Sequence, residues 1–498
     1  MGRLSRYFSG LVEGSRAIEA GKRDKGRPWT PSASSAPEDM RELALICARS
    51  QDLYDNNELA RSMIDRYVNG VVGYGIYPQC ATESEAFNEL VDRRFEEWAK
   101  NPTPGGGITF YGLQHQVELA KEVRGECFVV VLEPPANAKM KVPLWLKVLE
   151  ADMCDRNLNQ PAMEGGNKII QGVEFDRYDR VVAYWFHHYH PGESMAWSPK
   201  LGATNMTHIR MTADKVIHVW NKFESRPSAV RGLPRMVSVI RKIKAMDSFD
   251  RAELTKQELA ACYGVAVQGA EESAYNSSPS QDGKLCDSSG RPIDSLYPGM
   301  TAYLPPGATL ETIQPPAVTG FAEWMSAKKH GVAAAVGVPY ALATGDLSKV
   351  NFSSSRYGQG SFARSVGATQ WLGILPQFCD RVWAMWFQAS YDAGLIQVPN
   401  ALVEWTTQPF ASVNPLQDAQ ASMRNLRMGK TSLSAEIALS GESPRKVFKQ
   451  RKKDNDALDK LEMKVDSDPR YLTQAGANQP LYDTKASKPG TKQAGSKT

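Results

Sequence analysis

The chain is short of nearly every constellation on which familiar chemistry is built. Its seven cysteines (Cys47, Cys80, Cys127, Cys154, Cys262, Cys286 and Cys379) are scattered and odd in number, and no two form a Cys-x-x-Cys pair. That pattern predicts reduced thiols rather than a disulfide framework or a paired-cysteine metal site. There is no Gly-x-Ser-x-Gly elbow, so the strained turn that exposes a nucleophilic serine is missing. No apolar run approaches the roughly 18 residues of a membrane-spanning helix. The nearest, Gly331–Leu342, is short and broken by Pro339. Arg3 and Arg6 stand near the start, but no apolar stretch of about 7–15 residues follows them, so no secretory leader is expected. Charge of one sign is also lacking. A balance of 59 Lys and Arg against 55 Asp and Glu leaves +4 over 498 residues, so any contact with a polyanion has to come from local patches.

Several near-matches dissolve on inspection. Gly429-Lys430-Thr431 resembles the end of a phosphate-binding loop, but the position five before Gly429 is Arg424 and no β-rich run leads into it. Glycine is needed there to bring backbone amides onto phosphate, so Gly429 is expected to cap a helix instead. The cluster Gly70, Gly73 and Gly75 follows a helical run rather than a strand, the reverse of dinucleotide-binding order, and is expected to be a bend where backbones approach closely. Glu150, Asp152 and Asp155 lie close together, yet without a second acidic cluster they read as solvated loop charges rather than a two-metal centre. His187-His188-Tyr189-His190 raises the question of Zn²⁺. On a strand, His188 and His190 share a face and His187 points the other way. With no acidic or cysteine partner at recognisable spacing, the tract reads as a half-buried strand. No catalytic residue, cofactor site or metal site is therefore expected.

What the chain does have is an ordinary globular composition, 42% hydrophobic and 23% charged, and length for two to four units at about 100–200 residues each. The fold class is expected to be α+β. Helical spacing runs through 38–69, with Asn57 as an N-cap and Leu59, Met63, Ile64, Tyr67 and Val68 on one face. Further helices are expected at about Glu85–Trp98 and Tyr111–Val123. Between Glu126 and Trp220 the period changes. Cys127–Glu133, Val142–Glu150, Ile169–Phe175, Arg180–Tyr189 and Asp214–Trp220 are β-branched or aromatic runs separated by turn residues, which predicts a largely antiparallel β unit. Arg231-Gly-Leu-Pro234 then opens a long helix to about Ala261, with Pro234 in its first turn. Residues 273–292 are rich in Ser, Pro and Gly, and short strands are expected from there to about 320. Helices resume at about Phe321–Val336 and Ser354–Tyr391, the latter carrying Arg356, Arg364 and Arg381. A strand near Leu402–Trp405 and three small helices at Pro415–Leu426, Ser434–Leu439 and Glu442–Leu461 follow. The polar ends read as a basic arm and a disordered tail.

The segment joining the last two long helices is the most distinctive. After Val338-Pro339 comes a loop of Gly, Asp, Ser and Asn with no candidate nucleophile or base, which points to a mechanical or binding role. Its neighbours form an ordered set: Arg61-Ser-Met-Ile-Asp-Arg66 with Val68-Asn-Gly-Val-Val-Gly73-Tyr-Gly75-Ile76; Arg124-Gly-Glu126; Arg231-Gly-Leu-Pro234; Leu296-Tyr-Pro298-Gly299 with Leu304-Pro-Pro-Gly307; Gly337-Val-Pro339-Tyr340; Gly345-Asp-Leu-Ser348; and Asn351-Phe-Ser-Ser354. Each is weak alone. Taken in order, over about residues 40–440, the set resembles the lambda-like family of phage portal proteins.

That resemblance implies a portal fold: a flexible basic arm (1–37), a wing of helices then antiparallel β (38–230), a first stem helix (231–262), a small β-containing clip (263–320), a second stem helix (321–342), a tunnel loop (343–354), a long wing helix and strand (355–409), a helical crown (410–460) and a disordered tail (461–498). It implies a homo-oligomeric ring of about twelve subunits at a capsid vertex of the virion, assembled in the host cytoplasm. Double-stranded DNA would pass through it without sequence specificity. The implied partners are the terminase large subunit, the major capsid or scaffold protein and a head–tail connector, with no membrane. Asp346, Ser348, Lys349, Asn351 and Ser353 in the loop, and Arg241, Lys242 and Lys244 on the first stem helix, are the DNA-channel candidates. Lys284, Asp287, Arg291 and Asp294 are candidates to face the motor or adaptor. The alternatives are another virion structural protein, such as a capsid or adaptor subunit, and a DNA-processing enzyme.

Overall fold

In a computed structural model, residues 35–39, 42–138, 140–162, 166–193, 208–222, 226–261, 320–348, 350–410, 412–463 and 465 are described. Most of the basic arm, nearly all of the clip with Lys284, Asp287, Arg291 and Asp294, the loop residue Lys349 and nearly all of the tail lie outside the described residues.

The chain mixes helix and antiparallel sheet. Helices α1 (Leu43–Asn56) and α2 (Glu58–Val71) meet at Asn57, whose side chain accepts from the Ala60 amide at 2.8 Å and so caps α2. Strand β1 (Tyr77–Cys80) leads to α3 (Glu85–Ala99) and α4 (Phe110–Arg124). A three-stranded sheet follows, with β2 (Glu126–Leu132) between β3 (Trp145–Glu150) and β8 (Val216–Trp220), and Val129 opposite both Val148 and Ile217. Inserted in it is a four-stranded antiparallel meander: β4 (Lys168–Ile170), β5 (Val173–Phe175), β6 (Val181–Phe186) and β7 (Ile209–Thr212). The β4–β5 turn is Gln171-Gly172, both at positive φ, the conformation whose twist suits a two-residue hairpin.

The second half is helical: α5 (Ile240–Ala261), α6 (Phe321–Val336), the short α7 (Tyr340–Thr344), α8 (Phe352–Thr369) and α9 (Asp380–Asp392). Strand β9 (Val403–Thr406) returns to pair antiparallel with β1. Three small helices close the described chain, α10 (Pro415–Arg427), α11 (Leu433–Leu439) and α12 (Pro444–Lys460). Gly429 stands at positive φ after α10, with the Lys430 amide bonded to the Asn425 carbonyl at 3.0 Å. It is the helix cap expected from the sequence. Cys47, Cys80, Cys127, Cys154 and Cys379 are all buried free thiols.

Three expectations are corrected. Pro234 does not open an α-helix. It precedes a 3₁₀ turn, Arg235–Ser238, and α5 begins at Ile240. The helix expected over 354–391 runs without a gap from Phe352 to Asp392 but is not α-helical throughout. Between α8 and α9 lies a π-helical stretch, Gln370–Cys379, with Pro376 inside it. Proline has no N–H and its ring crowds the preceding turn, so regular α geometry is hard to keep there. Finally, β6 ends at Phe186, so the histidine tract leaves the sheet rather than continuing it.

The main core joins these parts. Phe95, Trp98, Phe110, Phe378, Trp383 and Trp386 pack ring against ring, binding α3 and α4 to α9. Helix α4 brings three buried charges inside it, Glu118, Lys121 and Glu122. Lys121 Nζ lies 2.7 Å from Glu118 and 3.3 Å from Glu122, and Arg235 also pairs with Glu122 while covering the ring of Tyr67 at 3.6 Å. Burial raises the Glu118 carboxyl to about 7, with Lys121 only partly opposing it. Burial would raise Glu122 too, but Arg235 and Lys121 hold it at about 2. Between the ordinary value of 4.5 and about 7, the folded protein keeps a proton on Glu118 that the unfolded chain has released. Stability therefore falls as pH rises through that window, while the Glu122 contribution is lost only in stronger acid. Glu118→Gln is expected to flatten this slope in urea-unfolding midpoints and to raise stability at pH 8 by about 1–3 kcal/mol. An unchanged slope would refute this assignment.

Candidate functional site

The polar loop is built on a fixed base. Helix α6 ends at Gly337, whose φ of +86° lets its amide and that of Val338 return to the Ala333 carbonyl, each at 3.0 Å. Val338 is buried, and Pro339 opens α7. The Ser62 hydroxyl of α2 donates to the Ala343 carbonyl at 2.7 Å, and Tyr340 stacks on His330 at 3.7 Å between ring centres. Gly345, at φ +74°, ends α7 and releases the chain into the loop.

Within the loop, local hydrogen bonds replace secondary structure. Asp346 Oδ1 accepts from the Ser348 amide at 3.0 Å and its hydroxyl at 2.6 Å, an Asx turn. Asp346 Oδ2 accepts from the Tyr340 hydroxyl at 3.3 Å. Asn351 and Ser354 form a reciprocal capping box that starts α8. Ser353 is exposed on the first turn of that helix. The tip is more apolar than its composition suggests: Leu347 is 68% and Phe352 51% exposed. Arg356, one turn into α8, pairs with Asp418 of α10 at 3.0 Å.

The start of α5 lies beside the base of the loop. Arg235, just before α5, reaches the Val336 carbonyl at the end of α6, while Phe249 further along α5 packs on Phe321 and Trp324 at the start of α6. The pair is therefore antiparallel. Its end near Val336 carries both the loop base and the first turns of α5, where Arg241, Lys242 and Lys244 are exposed. None of the three makes an ion pair among the described residues. The sequence reading passed over Lys328 and Lys329 on α6, although the adjacent lysines were visible. Lys328 is exposed, with its Nζ 5.4 Å from the Trp324 ring centre.

A second constellation joins two of the glycine motifs. Arg231 donates to Glu126 through Nε at 2.8 and 3.0 Å, and both residues are fully buried. Its remaining donors reach the carbonyls of Gln171 at 2.8 Å and Ala151 at 2.9 Å. His218 Nε2 is 3.0 Å from Glu126, and the Gly232 amide also donates to that carboxylate at 3.1 Å. Burial would raise Glu126, but Arg231 and His218 hold it well below the usual carboxylate range. The approach demands glycine: a Cβ on Gly232 would lie 2.0 Å from the Gly125 carbonyl oxygen, and Gly125 itself sits at φ +87°. This Arg–Glu–His set resembles acid–base machinery in composition, but with Glu126 and Arg231 sealed from solvent it is a brace.

The sequence matches the family described as phage portal protein, lambda family, over residues 22–370. A probable portal protein of Halomonas phage phiHAP-1 is 24% identical over 380 residues, covering 73% of this chain and 70% of the relative. Among solved structures, the neck of the native gene transfer agent particle, computed with C12 symmetry, aligns at TM-score 0.42 and 16% identity, covering 81% of this chain and 94% of that one. The neck of the empty particle, computed with C6 symmetry, aligns at the same TM-score and identity over 88% and 98%.

Proposed function

The chain belongs to the lambda family of phage portal proteins, and from that premise we propose that identical copies close into a ring at one capsid vertex, through which double-stranded DNA is packaged and later ejected. The family match carries the reading, because it spans both α5–α6 and the loop that follows them. In this reading α5 and α6 are the stem, residues 343–354 the tunnel loop, 263–320 the clip, α10–α12 the crown and the remainder mostly the wing. The clip, with Lys284, Asp287, Arg291 and Asp294, faces the terminase large subunit and afterwards a head–tail connector. The outer surface meets the major capsid or scaffold protein.

The charge distribution supports a conduit. Each neutralised phosphate adds salt-dependent affinity, and a ring multiplies every loop residue by its copy number. A strongly basic loop would hold DNA in place. Asp346 and Lys349 nearly cancel in formal charge, and Ser348, Asn351 and Ser353 offer weak polar contacts that read no bases. The exposed cations Arg241, Lys242 and Lys244 stand on the stem, where they attract the duplex along its path.

Negative-stain imaging and native mass of the purified chain test the assembly. Rings with a central hole are expected, in one copy number or several. A persistent monomer under assembly conditions, or a closed shell without a hole, overturns the proposal.

A further inference from the structure

Asp155, His187 and His208 converge beside the four-stranded sheet, although they come from three segments. Asp155 follows β3, His187 follows β6, and His208 stands immediately before β7. One potential ligand atom from each lies within 4.8 Å of the others. His208 Nε2 is 2.8 Å from Asp155 Oδ2, and His187 Nε2 is 3.7 Å from Asp155 Oδ1. The two imidazole rings lie 5.3 Å apart between centres, tilted by 42°.

The backbone holds this geometry. The Asp155 amide donates to the Trp185 carbonyl at 3.1 Å and the His187 amide to the Met153 carbonyl at 2.8 Å, so the two loops are laced together. The Asn157 amide donates to Asp155 Oδ1 at 2.8 Å and fixes the carboxylate plane. The side chain of His187 is left unsatisfied. Its Nδ1 is buried with no hydrogen-bond partner, and its Nε2 is too far from Asp155 for a hydrogen bond. The Nε2 edge therefore faces the carboxylate with room for an ion between them, while the orphaned Nδ1 lies on the other edge of the ring and is a separate open polar group.

We propose that Asp155, His187 and His208 bind one divalent transition-metal ion of the zinc type. Two imidazoles and one carboxylate are the donors such ions select, at bond lengths of about 2.0–2.2 Å, and a small closing movement brings these three to them. A second group beside it, Glu150, Asp152 and His190, is a poorer host, because Asp152 already pairs with Arg124 and Arg156. The ion would pin both ends of the β6–β7 connection to the segment after β3. Its role is therefore to fasten the meander, and it carries no chemistry of packaging.

Untagged full-length protein, stripped with chelator, is titrated with Zn²⁺ by calorimetry. One equivalent is expected to bind, His187→Gln and His208→Gln to weaken it at least tenfold, and His190→Gln to leave it within about twofold. Thermal melts of each metal-free variant check folding. Co²⁺ added to the unmutated chain gives a readout independent of mutagenesis: visible bands of a histidine-ligated ion that saturate at one equivalent and are removed by Zn²⁺. Absence of uptake, saturation at another stoichiometry, or equal losses in His190→Gln and His187→Gln would overturn the proposal.

Discussion

Replacing Arg231 with alanine is expected to lower unfolding stability by about 3–5 kcal/mol, the cost of breaking a buried ion pair by removing one partner. The residue is fully enclosed and spends its donors on Glu126 and on the carbonyls of Ala151 and Gln171. Truncation leaves the Glu126 carboxylate without its guanidinium in a buried site, and it leaves those carbonyls short of donors. Glu126 would then lose the Arg231 charge that opposes its burial and keep only His218 and the Gly232 amide, so its carboxyl should rise and part of the loss should appear as new proton uptake. Arg231→Met combined with Glu126→Gln is expected to be less damaging than Arg231→Ala, because no lone charge remains. Urea midpoints at unchanged m-value measure both. A loss under about 1 kcal/mol for Arg231→Ala would mean that the brace is not structural.

Deleting residues 346–351 is expected to cut packaged DNA at least tenfold, to background in a nuclease-protection assay, while rings still form. The base of the loop survives the deletion, since Ser62 holds Ala343 and Arg356 holds Asp418. Losing the Asn351 cap costs α8 about 1 kcal/mol, too little to unfold a subunit, and imaging of the mutant rings checks this directly. Lys349→Glu is the gentler variant. It alters charge around the ring without shortening the chain and should impair packaging or retention, with the size of the effect dependent on salt. If packaging and head stability were unchanged in both variants, the loop would not be the constriction.

Local rules carried much of the fold. Asn57 is a cap because its side chain reaches the Ala60 amide, and Gly429 ends a helix because it accepts positive φ. Both are decided within a few residues, so both were legible in the sequence. The Arg231–Glu126 brace was not. Its members are 105 positions apart, and only the folded sheet brings the two glycine-bearing turns together. The histidine tract failed for the same reason. Its acidic and imidazole neighbours, Asp155 and His208, come from other segments, so spacing along the chain could not reveal them. Of the carboxylates read as solvated loop charges, Glu150 is exposed, but Asp152 is engaged by two arginines and Asp155 by His208. Pro376 was visible as a residue, but the change to π geometry around it is hidden by the strong apolar period of the surrounding helix.

The packing on either side of that π-helical stretch has a mechanical consequence. Beyond it, α9 is anchored among Phe95, Trp383 and Trp386, and the near end of α8 is held on α2 by the buried Phe362 and Val366 and by the Tyr67–Thr369 hydrogen bond, leaving Phe352–Ser361 to run back to the loop. At a rise of about 1.5 Å per residue that outer part of α8 is an arm of roughly 15 Å, so a bend of about 10° at Phe362 would move Asn351 through roughly 2.6 Å. In a closed ring, small pivots of this kind in every subunit would act like the leaves of an iris, changing the bore at the loops while the aromatic hub of each subunit stayed still.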